Sequence, residues 1–138
     1  MARPPADILA KVPLFAGLDR RDLDRIADSF KERNYSAGET IAAEGQGGAG
    51  FFVIGDGTAK VTIRGEERGT LGAGDYFGEI ALIDEGARTA TVTAETDMTT
   101  YAMTFWEFRP IVETDARIAW KLVQALAHKL REVDARPT

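Results

Sequence analysis

Between Asn34 and about Met103, glycine recurs at positions 38, 45, 47, 48, 50, 55, 57, 65, 69, 72, 74, 78 and 86. Glycine is the residue of tight turns, because it alone takes positive φ at no steric cost. What stands between these turns is a series of short apolar runs, the pattern of a barrel or sandwich of short strands. Two runs alternate cleanly: Ala59, Val61 and Ile63 against Lys60, Thr62 and Arg64, and Ala90, Val92 and Ala94 against Thr91 and Thr93. Each is expected to have one wet and one dry face. Gly55-Asp56-Gly57 and Arg64-Gly65-Glu66 read as hairpin turns.

The flanks have a different period. Ile8, Leu9, Val12, Leu14 and Phe15 precede Gly17. Asp19 then stands as N-cap of a segment in which Leu23, Ile26, Ala27 and Phe30 recur at helical spacing. Asp22 and Asp24 suit its positive N-terminal end. After the glycine-rich region, Thr104 and Glu107 form a capping box and Pro110 bends or ends the first segment. Asp115 caps a longer segment with an apolar stripe of Ala119, Leu122, Val123, Leu126, Leu130 and Val133. That stripe packs on its own barrel, or it is a dimer seam or a lid; the pattern leaves these open. Arg136-Pro137-Thr138 reads as a frayed tail. The expected organisation is one mainly β domain over 1–138, with N-terminal helices in 1–33, the β region in 34–103 and C-terminal helices in 104–134.

Composition narrows the function. The formal charge is −5, so the surface as a whole repels polyanions and gives no footprint for nucleic acid. With no cysteine there are no disulfides, thiolate metal sites or cysteine nucleophiles. The N-terminal residues lack the apolar stretch of a signal peptide, and no run approaches the ~20 apolar residues that span a bilayer. A soluble, cytoplasmic protein is the expectation.

The residues that carry chemistry lie in Phe77-Gly78-Glu79-Ile80-Ala81-Leu82 and Arg88-Thr89-Ala90. Alternation places 88 on the face of Ala90, Val92 and Ala94, which looks inward. An inward guanidinium keeps its proton and needs an anion or a route to water. Glu79, Asp84 or Glu85 could supply an internal partner; a bound anion is the other possibility. Gly72, Gly74 and Gly78 bring backbone close to the same region, and Ile80-Ala81-Leu82 reads as a helical turn whose free N–H groups form an anion cradle. One cradle with one arginine suits a monoanion. No Gly-Lys-Ser/Thr phosphate loop is present, so nucleoside triphosphate hydrolysis has no support. Glu79 repels a phosphate but accepts a neighbouring sugar hydroxyl.

This stretch resembles the phosphate-binding cassette of cyclic nucleotide-binding domains. The Phe-Gly-Glu-hydrophobic-Ala-Leu opening, the nine-residue step from Glu79 to Arg88 and the Arg-Thr-Ala close are all present. The resemblance extends to Val12 to Leu18, Gly38 to Ile41, Glu44-Gly45, Phe52 to Ile54, Gly57, Leu71 and Gly74-Asp75. It implies a β-roll, a double-stranded jelly-roll-like barrel, with N-terminal helices and two C-terminal helices. It implies a regulatory module that binds cAMP, or cGMP, uses no catalytic cofactor and performs no catalysis. Arg88, helped by the N–H groups of Ile80 and Ala81, would hold the exocyclic oxygens of the cyclic phosphate. Glu79 would take the ribose 2′-hydroxyl and Gly78 would permit close approach. Thr89 would touch the phosphate or the purine edge, which requires a local break in the strand. Phe77 and Ala90 complete the candidate set. Ala87 stands where the family often has proline, so the loop from Ile83 to Ala87 is expected to be less rigid, and the residue that covers the purine is sought near Arg131 to Asp134.

In the family the ligand shifts a helical subdomain, which here corresponds to 104–113 and 115–134. Residues 1–138 contain no DNA-binding, kinase or channel segment, so the expectation is a domain acting through an effector protein or a second copy at the C-terminal helix, or a piece of something longer. Two other classes of function compete with this one. A metal-dependent enzyme on a similar barrel needs several converging histidines or carboxylates, and the chain has one histidine, His128, on a C-terminal helix. A scaffold that has lost nucleotide binding would have little reason to keep an unpaired arginine indoors.

Overall fold

The computed structural model describes residues 3–45, 50–83, 88–134 and 136. The chain opens with α1 (Ala6–Leu9), a 3-10 turn (Pro13–Phe15) and α2 (Arg20–Ala27). Asp19 starts α2 as the sequence indicates: its side chain accepts from the Asp22 N–H at 3.0 Å, and the Asp22 carboxylate accepts in return from the Asp19 N–H at 3.4 Å. Phe30, although at helical spacing, lies beyond the helix and is buried there.

Eight strands follow: β1 (Lys31–Tyr35), β2 (Thr40–Ala42), β3 (Phe51–Asp56), β4 (Ala59–Ile63), β5 (Glu66–Leu71), β6 (Tyr76–Phe77), β7 (Thr91–Ala94) and β8 (Met98–Met103). They form two antiparallel four-stranded sheets, β1-β8-β3-β6 and β2-β7-β4-β5. The pairing is nested, with β1 on β8, β2 on β7, β3 on β6 and β4 on β5. Such nesting is a long hairpin folded over on itself, the mainly β roll with flanking helices that the sequence implies.

Of the two expected hairpins, one forms. Arg64 and Gly65, with φ of 52° and 80°, make the two-residue turn between β4 and β5. The step at Gly55 to Gly57 is not a hairpin, because β3 and β4 belong to different sheets. Gly57 has φ of 92°, and a Cβ there would run into the Asp97 carbonyl and Met98. The same glycine chemistry that closes hairpins also lets a chain cross between sheets.

Within the first sheet, β3 is buried on both faces from Phe51 to Ile54, which explains why that run is apolar without alternation, whereas β1 at the edge is exposed from Lys31 to Asn34. Phe51, Val53 and Met103 pack against the helices, while Ile54 and Met98 join Ala42, Ala59, Val92 and Ala94 between the sheets. On the second sheet, Val92 and Ala94 are buried and Thr91 and Thr93 half-buried, as alternation requires; on β4 the contrast fades beyond Ala59.

Thr104 and Glu107 close the expected capping box of α3 (Phe105–Thr114), which runs through Pro110 without ending there. Asp115 accepts from the N–H groups of Arg117 and Ile118 at 3.1 and 3.3 Å and starts α4 (Ala116–Val133). Ile118 and Leu122 are buried against the molecule, whereas Val123, Leu130 and Val133 are 52%, 65% and 77% exposed. The apolar stripe is thus covered only in its first half.

An ion cluster fixes that first half. The Asp22 side chain, 3% exposed, receives both Arg117 amino groups at 2.8 and 2.5 Å and Lys121 Nζ at 3.5 Å. These bonds, led by Arg117, hold its carboxyl far below the usual carboxylate range. Among the described residues, no helix is long and apolar enough to cross a membrane.

Candidate functional site

The cassette begins where β6 stops. Phe77 stacks on Phe52 of the neighbouring strand, with ring centroids 5.0 Å apart and planes 11° from parallel. Gly78 follows with φ of 81°, and a Cβ on it would collide with the Arg88 guanidinium and stand 2.6 Å from the Gly50 carbonyl. Only glycine fits, on backbone conformation and on space alike. Glu79 then heads a 3-10 turn, Glu79–Leu82, which contains Ile80 and Ala81.

Arg88 is half-buried. Its Nη2 donates to the Gly50 carbonyl, and its Nε is buried without a partner. The ion pairs among the described residues involve neither Arg88 nor Glu79. Asp84, Glu85 and Ala87, named above as possible partners or as a source of loop flexibility, lie outside the described residues. Burial pushes the Arg88 pKa down, toward the neutral form, because a cation loses hydration there. Burial likewise pushes the Tyr76 phenol up, and the Glu79 charge adds to it.

Phe77, Gly78, Arg88, Thr89 and Ala90 come together on one cavity of about 150 Å³, backed by Ala42, Val61 and Val92 of the second sheet. Strand alternation puts Arg88 on the inward face, yet β7 begins only at Thr91. Residues 88 to 90 precede the ladder, and this break allows both Arg88 and Thr89 to line the same space. Arg131 to Asp134 lie at the far end of α4, where Arg131, Glu132 and Val133 are exposed, and do not line it.

Sequence reasoning missed Gly50. Its φ is 130°, and a Cβ would stand 2.8 Å from the Met103 carbonyl carbon and 2.9 Å from the Thr104 Cα. Its carbonyl therefore reaches Arg88 from backbone pressed against the start of α3. Val61 and Val92, directly opposite in the β4–β7 register, were legible as a dry face but not as a cavity wall. Next to the cassette, Leu82 and Ile83 border an apolar groove of about 280 Å³ between α3 and α4, lined by Phe105, Phe108, Val112 and Leu126 among others. His128 is exposed on α4. Among the described residues, no group of three or more His, Cys, Asp or Glu is placed to hold a metal.

Comparison with known proteins agrees with this geometry. The model of the cyclic nucleotide-binding domain family matches residues 32–115, more than half of the chain. The cAMP-dependent protein kinase regulatory subunit of Mycosarcoma maydis is 44% identical over 90 residues, which cover 62% of this chain and 17% of that protein. The cyclic AMP receptor protein of Thermus thermophilus is 32% identical over 127 residues, 88% of this chain and 59% of the receptor. The chain spans less than two thirds of the length of either relative. The crystal structure of the N-terminal domain of a transcriptional regulator from Streptomyces coelicolor A3(2) superposes with a TM-score of 0.85 at 30% identity, over 96% of this chain and 99% of that one. The first of these relatives is named as a regulatory subunit and the second as a receptor protein. By sequence over most of its β region and by fold over nearly its whole length, the chain belongs to the cyclic nucleotide-binding domain family.

Proposed function

We propose that residues 1–138 form one cytoplasmic sensor domain that binds cAMP in preference to cGMP and passes its occupancy to α3 and α4 without altering the nucleotide. The observation that carries this reading is Arg88: a partly desolvated cation on a small cavity, bonded to a neutral carbonyl, with Nε buried and unpartnered. A cyclic phosphate supplies the missing charge and acceptors. Arg88 and the N–H groups of Ile80 and Ala81 bind its exocyclic oxygens, and Glu79 binds the ribose 2′-hydroxyl. Gly78 admits the close approach, Thr89 meets the phosphate or purine edge, and Phe77 and Ala90 wall the site. The preference for cAMP is supported by the two relatives described above, whose names specify that nucleotide.

The moving parts are α3 and α4, since the groove between them borders Leu82 and Ile83 of the cassette. The partner is an effector protein or a second copy. The exposed Val123, Leu130 and Val133 of α4 support the latter, because with the half-buried Ala119 and Leu126 they are spaced four, three, four and three residues apart, as in a heptad seam. Isothermal titration of the purified chain with cAMP and with cGMP tests the reading. Saturable binding of either, stronger for cAMP, is expected; absence of binding to both would establish instead a β-roll scaffold that has lost its ligand.

A further inference from the structure

A second small cavity, of about 160 Å³, opens on the inner face of the first sheet at its β1 edge. Its wall runs from Arg33 and Tyr35 on β1, across Ala102 and Phe52, to Thr104 and Glu107 at the capping box of α3. It is distinct from the cassette cavity: Phe52 lines this one, Phe77 lines the other, and the stack of the two rings stands between them.

The polar groups around it are unequally committed. Glu107 is occupied, accepting from the Thr104 N–H at 2.9 Å and from its hydroxyl at 3.1 Å, and pairing with Lys31 at 3.0 Å. Arg33, exposed at the mouth, has no ion pair among the described residues, and no described hydrogen bond involves the Tyr35 hydroxyl. With Glu107 neutralised by Lys31, the cavity carries one uncompensated positive charge on a chain whose net charge is −5. Tyr35 is half-buried, and its phenol is a donor at neutral pH as an ordinary tyrosine is; burial, with a smaller contribution from the Glu39 charge, pushes its pKa further up. The floor, in contrast, is an aromatic ring and a methyl group.

We infer that this cavity is a binding site for a small monocarboxylate with a short apolar body, its two oxygens held by Arg33 and Tyr35 and its carbons laid on Phe52 and Ala102. Residues i and i+2 of one strand share a face, which lets both donors reach one carboxylate. Half of the wall being apolar favours an organic anion over phosphate.

The test is an amide and side-chain NMR titration of the 138-residue chain with sodium butyrate at constant ionic strength, run in parallel with inorganic phosphate. Saturable shifts at residues 33, 35, 52, 102 and 104 are expected with butyrate. Affinity should fall about tenfold or more in Arg33→Gln, as for the loss of a charged hydrogen bond, and several-fold in Tyr35→Phe. Arg88→Ala should leave the butyrate shifts intact, which separates this site from the nucleotide reading. Shifts that never saturate, butyrate affinity unchanged in Arg33→Gln, or phosphate binding as tightly as butyrate would each overturn the assignment.

Discussion

Arg117 and Arg88 are two arginines on opposite sides of the first sheet, and their surroundings could hardly differ more. Arg117 meets the Asp22 carboxylate with both amino groups and has Asp115 at 3.6 Å. Arg88 meets the Gly50 carbonyl, and its Nε meets nothing. The first is a completed contact that joins α2 to α4. The second is an incomplete one, in which a cation gives up water without receiving a carboxylate from the described residues. A guanidinium remains charged at any physiological pH, and under the proposed function a bound cyclic phosphate is its anion. The difference separates an arginine that holds the fold from one that we propose serves a ligand.

Substitutions at these two places break or sharpen the contrast. The largest effect is expected for Arg88→Ala, which should weaken cyclic nucleotide binding by roughly 2–5 kcal/mol in a titration while thermal unfolding stays close to that of the parent. A loss smaller than about tenfold would remove Arg88 from the phosphate. Asp22→Ala should do the reverse. It strips two charge-assisted bonds and half of a capping box, and should destabilise the domain by about 2–3 kcal/mol in urea unfolding, with nucleotide affinity of the folded protein little changed. Equal stability of variant and parent would show the cluster to be ornamental.

Smaller effects refine the picture. Glu79→Gln should cost about 1 kcal/mol of binding for the ribonucleotide and almost nothing for its 2′-deoxy analogue. Equal losses on the two ligands would move Glu79 away from the ribose. The pH dependence of Asp22 is the subtlest test. Because its folded pKa is depressed, its stabilising contribution is complete above the ordinary carboxylate value of ~3.9 and drains away as pH falls below it. The parent should therefore lose its stability margin over Asp22→Asn on acidification, and a margin independent of pH would contradict the pairing.

How much of this could be read in advance depended on the range of the interaction. Asp19, Thr104 and Asp115 announce their helices because a cap acts within three residues. The Arg64-Gly65 turn announces itself for the same reason. At Gly57 the local requirement for positive φ is legible, but whether the next strand pairs with the last is decided by β7 and β8, which begin only at Thr91 and Met98. Within the site, the Glu79 to Arg88 spacing was visible because one continuous segment carries it. Gly50 was not: its contact with Arg88 exists only after β3 is laid beside β6 and β8. Pro110 was expected to bend or end α3, and the helix continues through it.

The nested strand order has a consequence for how the molecule comes into being. Ile63 finds Glu66 within a single turn, whereas Lys31 must wait for Ala102. Closing short loops first lowers the entropy lost at each later closure, so assembly is favoured from the innermost hairpin outward, like a zip drawn from its middle. During synthesis, β1 and β2 emerge early and remain without their neighbours until β7 and β8 leave the ribosome. The charged run Lys31-Glu32-Arg33 keeps the earliest of these waiting edges soluble.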